Sequence, residues 1–349
     1  MKRPLGDLIR APIVLAPMAG GPGTPRLAAA VAEAGGLPFL AGGYKSPAAV
    51  RSEIEELRAL TGAPFGVNVF VPQPPEAPAA DLEAYRERLI PEARRLGVEL
   101  GEPAWDDDAW EAKLALLAAD PVPLVSFTFG CPSADVIRSL QQRRTLVAIT
   151  VTAPEEAQQA AAAGADALCV QGAQAGAHQG SFDNAAPRDV GLLPLVAAVR
   201  RAVSLPLIAA GGIMRGEDVA AVLAAGASAA QLGTAFLRCP ESGTSEAHRR
   251  ALGDPRFTAT AVTRAFTGRW ARGLVNRFIL EHGSFAPRAY PHVHHMTREL
   301  RRVAAKRLDL DVLHLWAGQG FALAEERPAG EIVERLHRQA RAVLGRFRS

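Results

Sequence analysis

Several features that would narrow the function at once are scarce or missing. The 349 residues hold three cysteines, Cys131, Cys169 and Cys239, far apart and in no Cys-x-x-Cys pair. That spacing argues for reduced thiols in a cytoplasmic protein and against a disulfide scaffold. No apolar run reaches the roughly 18 residues that a membrane span requires. Asp7, Arg10, Pro12 and Pro17 interrupt what would have to be a signal-peptide core. No Gly-x-Gly-x-x-Gly follows a strand and no P-loop occurs, so neither a Rossmann dinucleotide site nor a nucleotide-triphosphate loop is indicated. A Gly-x-Ser-x-Gly elbow is absent too. His292, His294 and His295 lie close together but without a Cys or carboxylate pattern such as His-Glu-x-x-His, so they read as the start of a helix and no metal site is expected.

The composition is that of an ordinary globular protein, 48% hydrophobic and 21% charged with a net charge of +3. Charge is unevenly placed. From Arg256 onward there are 17 Lys+Arg against 8 Asp+Glu, a local +9 that leaves −6 for the rest. Aromatics are only 6% of the chain, and these arginines alternate with Leu, Val and Ala at helical spacing rather than with an aromatic platform. A solvated or anion-facing helical surface is expected there, not a nucleic-acid partner.

One local pattern recurs: an Ala-rich helix stops at Gly, and a short apolar run ending in a small or polar residue follows. It is seen at 31–43, 160–172 and 222–234, with Gly35, Gly164 and Gly226 at the left-handed position past the helix end. The same reading places strands near 12–17, 37–40, 65–69, 122–127, 145–150, 166–170, 206–210 and 228–232. These are continuously apolar, as strands covered by helices should be. Eight such strands alternating with helices indicate an α/β fold, a (β/α)8 TIM barrel, with a doubly wound sheet as the alternative. The barrel is expected over 1–240. An oversized connection after the third strand, about 71–120, carries Pro72, Pro74, Pro75 and Pro78 and then a helix-prone stretch with Trp105 and Trp110. Residues 241–349 form an appended helical extension packed on the barrel, with helical patterns near 244–252, 269–281, 294–307 and 330–346 and no independent core.

In such a barrel the residues just past the strands converge on one rim. The seventh strand ends in Gly211 and Gly212, the eighth in Gln231, Leu232, Gly233 and Thr234. Loops in these two slots commonly receive a phosphate through backbone N–H groups and a helix N-terminus, and no Asp or Glu lies within them to repel it. The bland alternative is that the glycines serve tight turns alone. Asn68 and Gln171, at the mouths of the third and sixth strands, offer mixed donors and acceptors to a flat heterocycle. Phosphate plus heterocycle suggests FMN. The loop after the sixth strand, Gln171 to Phe182, carries one imidazole, His178, among Gly and Ala, where it can act as base or hydrogen-bond donor near neutral pH. Cys131 reads as a packed thiol. Trp270 and Trp316 read as core or interface residues, while the Leu315–Gln319 stretch is placed to fold over the barrel mouth.

In these residues the chain resembles the nitronate monooxygenases, formerly called 2-nitropropane dioxygenases, over roughly residues 8–345. The resemblance rests on APMAGG at 16–21 with the helix that follows, FGVNVF at 65–70, GADALCVQGAQAGAHQG at 164–180, LIAAGGI at 207–213 and AAQLGTAFL at 229–237, with AFTG at 265–268 and LWAGQ at 315–319 favouring the bacterial branch. It implies FMN held by Met18, Asn68, Gln171, Gly176, Gly212, Gln231, Gly233 and Thr234, with His178 as the catalytic histidine. It also implies oxidation of an alkyl nitronate, or its parent nitroalkane, by O2 to a carbonyl compound and nitrite. The family loop commonly reads Glu-Ala-Gly-Gly-His, whereas here Gln174 and Ala177 replace its Glu and second Gly. Two alternatives stay open: an NAD(P)H-dependent FMN reductase of quinones or enoyl thioesters on the same scaffold, and a flavin-free sugar-phosphate lyase or isomerase, for which Lys45 is the only lysine near a strand end. A homodimer is compatible with the sequence.

Overall fold

Local signals set the element boundaries. In the computed structural model, which describes residues 4–74 and 78–346, the Thr24 hydroxyl accepts from Leu27 N–H ahead of helix Pro25–Glu33, and the Ser46 hydroxyl accepts from Ala49 N–H ahead of helix Pro47–Leu60. Each helix has proline in its first turn, where no N–H is needed. Met1–Arg3 and Pro75 of the proline-rich connection lie outside the described residues. Gly35, Gly164 and Gly226 have φ of 91°, 98° and 101°, the left-handed stops read from the sequence.

All eight expected strands are present, with ends within two residues of the reading. They are β1 (Ile13–Leu15), β2 (Leu37–Ala41), β3 (Gly66–Phe70), β4 (Leu124–Thr128), β5 (Leu146–Val151) and β6 (Ala167–Gln171). After a short β7 (Ala177–His178) that stands apart come β8 (Leu207–Ala210) and β9 (Ala229–Leu232). The eight pair in parallel, and β1 bonds both β2 and β9, so the barrel closes. Side chains alternate across it. Ile13, Leu15, Val67, Val125, Ile149 and Val170 face the helices. Val14, Leu37, Phe39, Leu124, Leu146 and Ile208 fill the interior near the strand starts, where Leu5 and Leu8 of an N-terminal turn plug that end. The interior is therefore open only where the strands finish.

The C-terminal extension departs from the all-helical expectation. Its helices are Glu246–Gly253, Arg277–His282, His292–Met296, Arg298–Arg307 and Ala329–Gly345. Between them run β10 (Thr260–Thr263) and β11 (Ala271–Leu274), which form an antiparallel sheet in the order β10-β11-β7. The helix expected over 269–281 starts only at Arg277, capped by the Asn276 side chain. The preceding residues are strand because β11 finds ladder partners on both edges, and long-range pairing outweighs local helical preference. Gly273 is also required there: a Cβ on it would lie 2.9 Å from the Leu315 carbonyl oxygen.

The extension shares a hydrophobic cluster with the insertion after β3. Phe266, Phe278, Val293, Met296, Leu300 and Leu315 pack with Leu82, Tyr85, Leu89 and Leu96 of helix Ala79–Leu96 in the connection after β3. With Ala93 they recur at three to four residues, one apolar stripe of an amphipathic helix. Insertion and extension thus fold together as a cap, pinned by a 2.7 Å hydrogen bond from the Tyr85 hydroxyl to the Ala265 carbonyl. The last helix, Ala329–Gly345, returns instead to the barrel's outer layer beside helices Gly216–Ala224 and Pro25–Glu33. Among the described residues no helix is long and apolar enough to cross a membrane.

Candidate active site

A cavity of about 480 Å³ lies between the open end of the barrel and the cap. That is the size of a small-molecule or cofactor site. Met18, Asn68, Gln171, Gly176, His178, Gly211, Gly212, Gln231, Leu232, Gly233 and Thr234, scattered over more than two hundred residues of sequence, all line it. Among the described residues its lining holds three arginines and four histidines but no Asp or Glu.

One wall is mostly backbone. Gly211 and Gly212 have φ of 121° and 73°, and a Cβ on Gly212 would lie 2.9 Å from Gln174 Cβ. Only glycine adopts this turn without strain. Among the described residues, the N–H groups of Gly212, Ile213, Gly233 and Thr234 donate to no protein acceptor. Orphaned backbone donors beside a cavity form a cradle for an anion. The nearby Asp218 carboxylate is turned away to accept from Met214 and Arg215 N–H, capping helix Gly216–Ala224. After β9 the expected helix N-terminus is a single 3-10 turn, Thr234–Phe236, so the loop amides rather than a helix dipole face the cavity.

The amides are partly committed. Asn68 Nδ2 donates to Ser126 Oγ at 2.8 Å and Thr128 Oγ1 at 2.9 Å, which leaves Oδ1 without a protein donor. Gln171 bonds the histidine loop at both ends, Nε2 donating to the His178 carbonyl at 3.1 Å and Oε1 accepting from Gly180 N–H at 2.6 Å. One hydrogen and one lone pair remain on it. Gln231 Nε2 donates to Cys169 Sγ at 3.2 Å.

His178 stands on the opposite wall. Its strand β7 pairs with β11, Ala271 opposite His178, so the extension fixes the loop by backbone ladder. His178 Nε2 lies 2.9 Å from Thr267 Oγ1, whose own hydrogen goes to the Arg269 carbonyl. That leaves Thr267 to accept from Nε2–H and the Nδ1 lone pair free. Phe129, Tyr290 and Trp316 ring the imidazole at 5.7, 5.7 and 5.8 Å between centroids. Burial, reinforced by the positive fields of Arg269 and Arg301, pushes its pKa down to about 3, so the ring is neutral at physiological pH. Arg269 is 1% exposed and acts as a staple. Its guanidinium donates to the carbonyls of Gln179 and Ser181 and to Gln73 Oε1, and lies over the Phe129 ring.

The sequence profile described as nitronate monooxygenase matches residues 2–339. The chain belongs to the nitronate monooxygenase family. Within that family, a nitronate monooxygenase of Pseudomonas aeruginosa is 40% identical over 95% of this chain and 97% of its own. Among solved structures, a nitroalkane oxidase from Streptomyces ansochromogenes is 54% identical, covers 98% of this chain and 99% of its own, and superposes with a TM-score of 0.96. FabK from Thermotoga maritima is more distant, 30% identical with a TM-score of 0.78 over 100% of this chain and 98% of its own.

The two departures from the nitronate monooxygenase loop now have physical readings. Ala177 has φ of 61°, so it occupies a left-handed position where glycine is the relaxed residue. Gln174 Oε1 accepts from Leu192 N–H at 3.0 Å, at the start of helix Leu192–Ala202; a glutamate would serve the same donor with added charge. Gly176, unlike Ala177, cannot change, because a Cβ there would lie 2.8 Å from Gly318 N. That contact, with the bond from Gly318 N–H to Thr234 Oγ1 at 3.0 Å, lays the Leu315–Gln319 stretch over the mouth as expected.

Several lining residues escaped the sequence reading: Tyr44, Phe129, His294 and Arg301, and with them Tyr290, which packs on His178. Trp316, read as core, lines the cavity instead, because its Gly273 bridge carries it beside His178. His294 does start a helix, yet it also faces the site and stacks on Tyr44 at 4.4 Å. The one available signal was the basic, helically spaced C-terminal segment. Lys45 is ion-paired with Glu53 at 2.6 Å and Cys131, its thiol pushed up to about 11 by burial, has no base beside it; neither lines the cavity.

Proposed function

We propose that the protein binds FMN and oxidises alkyl nitronates, and more slowly their parent nitroalkanes, with O2 to a carbonyl compound and nitrite. The observation that carries this reading is the pairing, in one cavity with no carboxylate among its described lining residues, of a four-amide cradle with a neutral imidazole. Gly212, Ile213, Gly233 and Thr234 N–H would hold the phosphate. Asn68 Oδ1, Gln171 and Gln231 offer hydrogen bonds to the ring system, with Met18, Gly176, Gly211 and Leu232 in contact. Bound FMN supplies the electron acceptance from substrate and the reaction with O2, which no side chain here can supply. His178 is the catalytic residue: Nδ1 takes the Cα proton of a neutral nitroalkane, while Nε2 stays oriented by Thr267. Phe129, Tyr290 and Trp316 exclude water from that proton transfer. The 54% identity to a nitroalkane oxidase supports the substrate class.

An NAD(P)H-dependent FMN reductase on the same scaffold stays as a second reading. The paired Lys45 and the absence of carboxylates in the lining give no support to a sugar-phosphate lyase. The test is the absorption spectrum of purified protein followed by oxygen uptake with propionate 3-nitronate in the absence of NAD(P)H. A flavin spectrum with oxygen uptake is expected. Colourless protein that ignores added riboflavin phosphate overturns the cofactor; activity seen only with NADH and not with the nitronate favours the reductase.

A further inference from the structure

Arg301 differs from every other buried cation at this site. It is 9% exposed and lines the cavity from helix Arg298–Arg307. Nε donates to Thr297 Oγ1 at 3.2 Å and Nη2 to the His294 carbonyl at 2.8 Å. Nη1 has no acceptor among the described residues, and no carboxylate pairs with the guanidinium. Arg269, also buried, spends its donors on carbonyl and amide oxygens, so it is a closed structural unit; Arg301 is an open one. A buried charge left without a counter-charge and aimed into a cavity is stabilised when an anion arrives.

Contacts on the same wall connect Arg301 to His178. Arg301 Nη2 lies 3.3 Å from His294 Nδ1, the His294 ring stacks on Tyr44, the Tyr290 hydroxyl donates to the Tyr44 hydroxyl at 3.2 Å, and Tyr290 packs on His178. Since Tyr44 accepts from Tyr290, its own O–H is free to donate. An oxyanion there meets a guanidinium and a hydroxyl, one aromatic layer from the imidazole.

Resting on the function proposed above, we propose that Arg301 is the specificity-determining residue that binds a nitronate oxygen through Nη1, assisted by the Tyr44 hydroxyl, and thereby selects the anionic substrate over the neutral nitroalkane. Arg298 and Arg302, on the same helix, are exposed and screened, so they add little to this selection.

The experiment compares flavin-loaded wild type with Arg301→Met and Arg301→Lys. In Arg301→Met the KM for propionate 3-nitronate rises at least tenfold while kcat falls less than threefold, and the preference for the nitronate over its nitroalkane drops at least tenfold. Arg301→Lys recovers most of the affinity. Nitrate, a planar trigonal anion, titrated by calorimetry binds wild type at least tenfold more tightly than Arg301→Met. The methionine variant melts no lower than wild type, because it removes a buried unpaired charge. Unchanged KM and nitrate affinity overturn the proposal, as does a wild type that ignores nitrate or a variant that loses thermal stability without losing affinity. If wild type does not turn over the nitronate, the proposed activity fails, and the nitrate titration still decides whether Arg301 is an anion site.

Discussion

The two walls of the cavity are made of different material. The barrel wall presents main-chain N–H groups from the Gly211–Ile213 and Gly233–Thr234 turns, held by parallel strands buried except at Gln231. The cap wall presents side chains: His178 on β7 and His294, Arg301 and Trp316 from the extension, joined by Tyr44 from the turn after β2 and backed by Tyr290, which packs on His178. A backbone wall cannot be changed by substituting a side chain except by blocking it. A side-chain wall changes residue by residue. A phosphate-bearing cofactor therefore suits the barrel, and substrate choice suits the cap.

The largest expected effect sharpens this contrast at His178. His178→Asn keeps flavin binding but lowers turnover of a neutral nitroalkane by about a thousandfold, the scale of a lost general base. Undiminished steady-state rate in that variant removes His178 from the mechanism. On the barrel wall, Gly212→Ala is expected to weaken FMN binding by about a hundredfold in a fluorescence titration. The new methyl meets Gln174 Cβ and the left-handed backbone adds about 1–2 kcal/mol of strain. Wild-type affinity there would mean the amide cradle is not the phosphate site.

The cap wall should also be the pH-sensitive one. Burial holds His178 at about 3 and His248 at about 4, and keeps His294 and His314 well below the usual imidazole range. These groups stay neutral when folded but take up protons near pH 6.5 when unfolded. Their contribution is complete above pH 6.5 and is lost as pH falls toward 4, by up to about 1.4 kcal/mol per pH unit for each histidine. Urea unfolding at pH 7, 6 and 5 measures this, and a flat profile refutes it. The same shift predicts no inflection near pH 6.5 in the rate with a nitronate. The smallest effect belongs to Ala177→Gly, which relaxes a left-handed alanine and raises unfolding free energy by about 1 kcal/mol, read from the urea midpoint. A decrease would show that the surrounding ladder, not the backbone angle, governs that position.

How much was legible divides along the same line. Gly35, Gly164 and Gly226 marked helix ends, the apolar runs after them marked strands, and Gly211, Gly212, Gly233 and His178 fell in rim positions that follow from strand order alone. Each of these signals is local, spanning a dozen residues. The cap was poorly read because its structure depends on distant partners. His178 meets Thr267 across 89 residues, and Gln73 meets Arg269 across 196. The segment 271–274 has no strand pattern strong enough to be seen without β7 and β10 beside it. Trp316 and His294 are apolar or helix-starting by sequence and become site residues only because their elements fold back over the mouth.

By itself, then, the sequence determined the barrel, its open end, the glycine turns and the lone loop imidazole, since periodicity and backbone conformation are properties of short segments. Tertiary structure alone decided that the insertion and extension share one core, that a strand pair grips the histidine loop, and that one arginine of a basic helix is buried without a counter-charge. Desolvation and charge pairing depend on what lies across a cavity, and no local pattern records that.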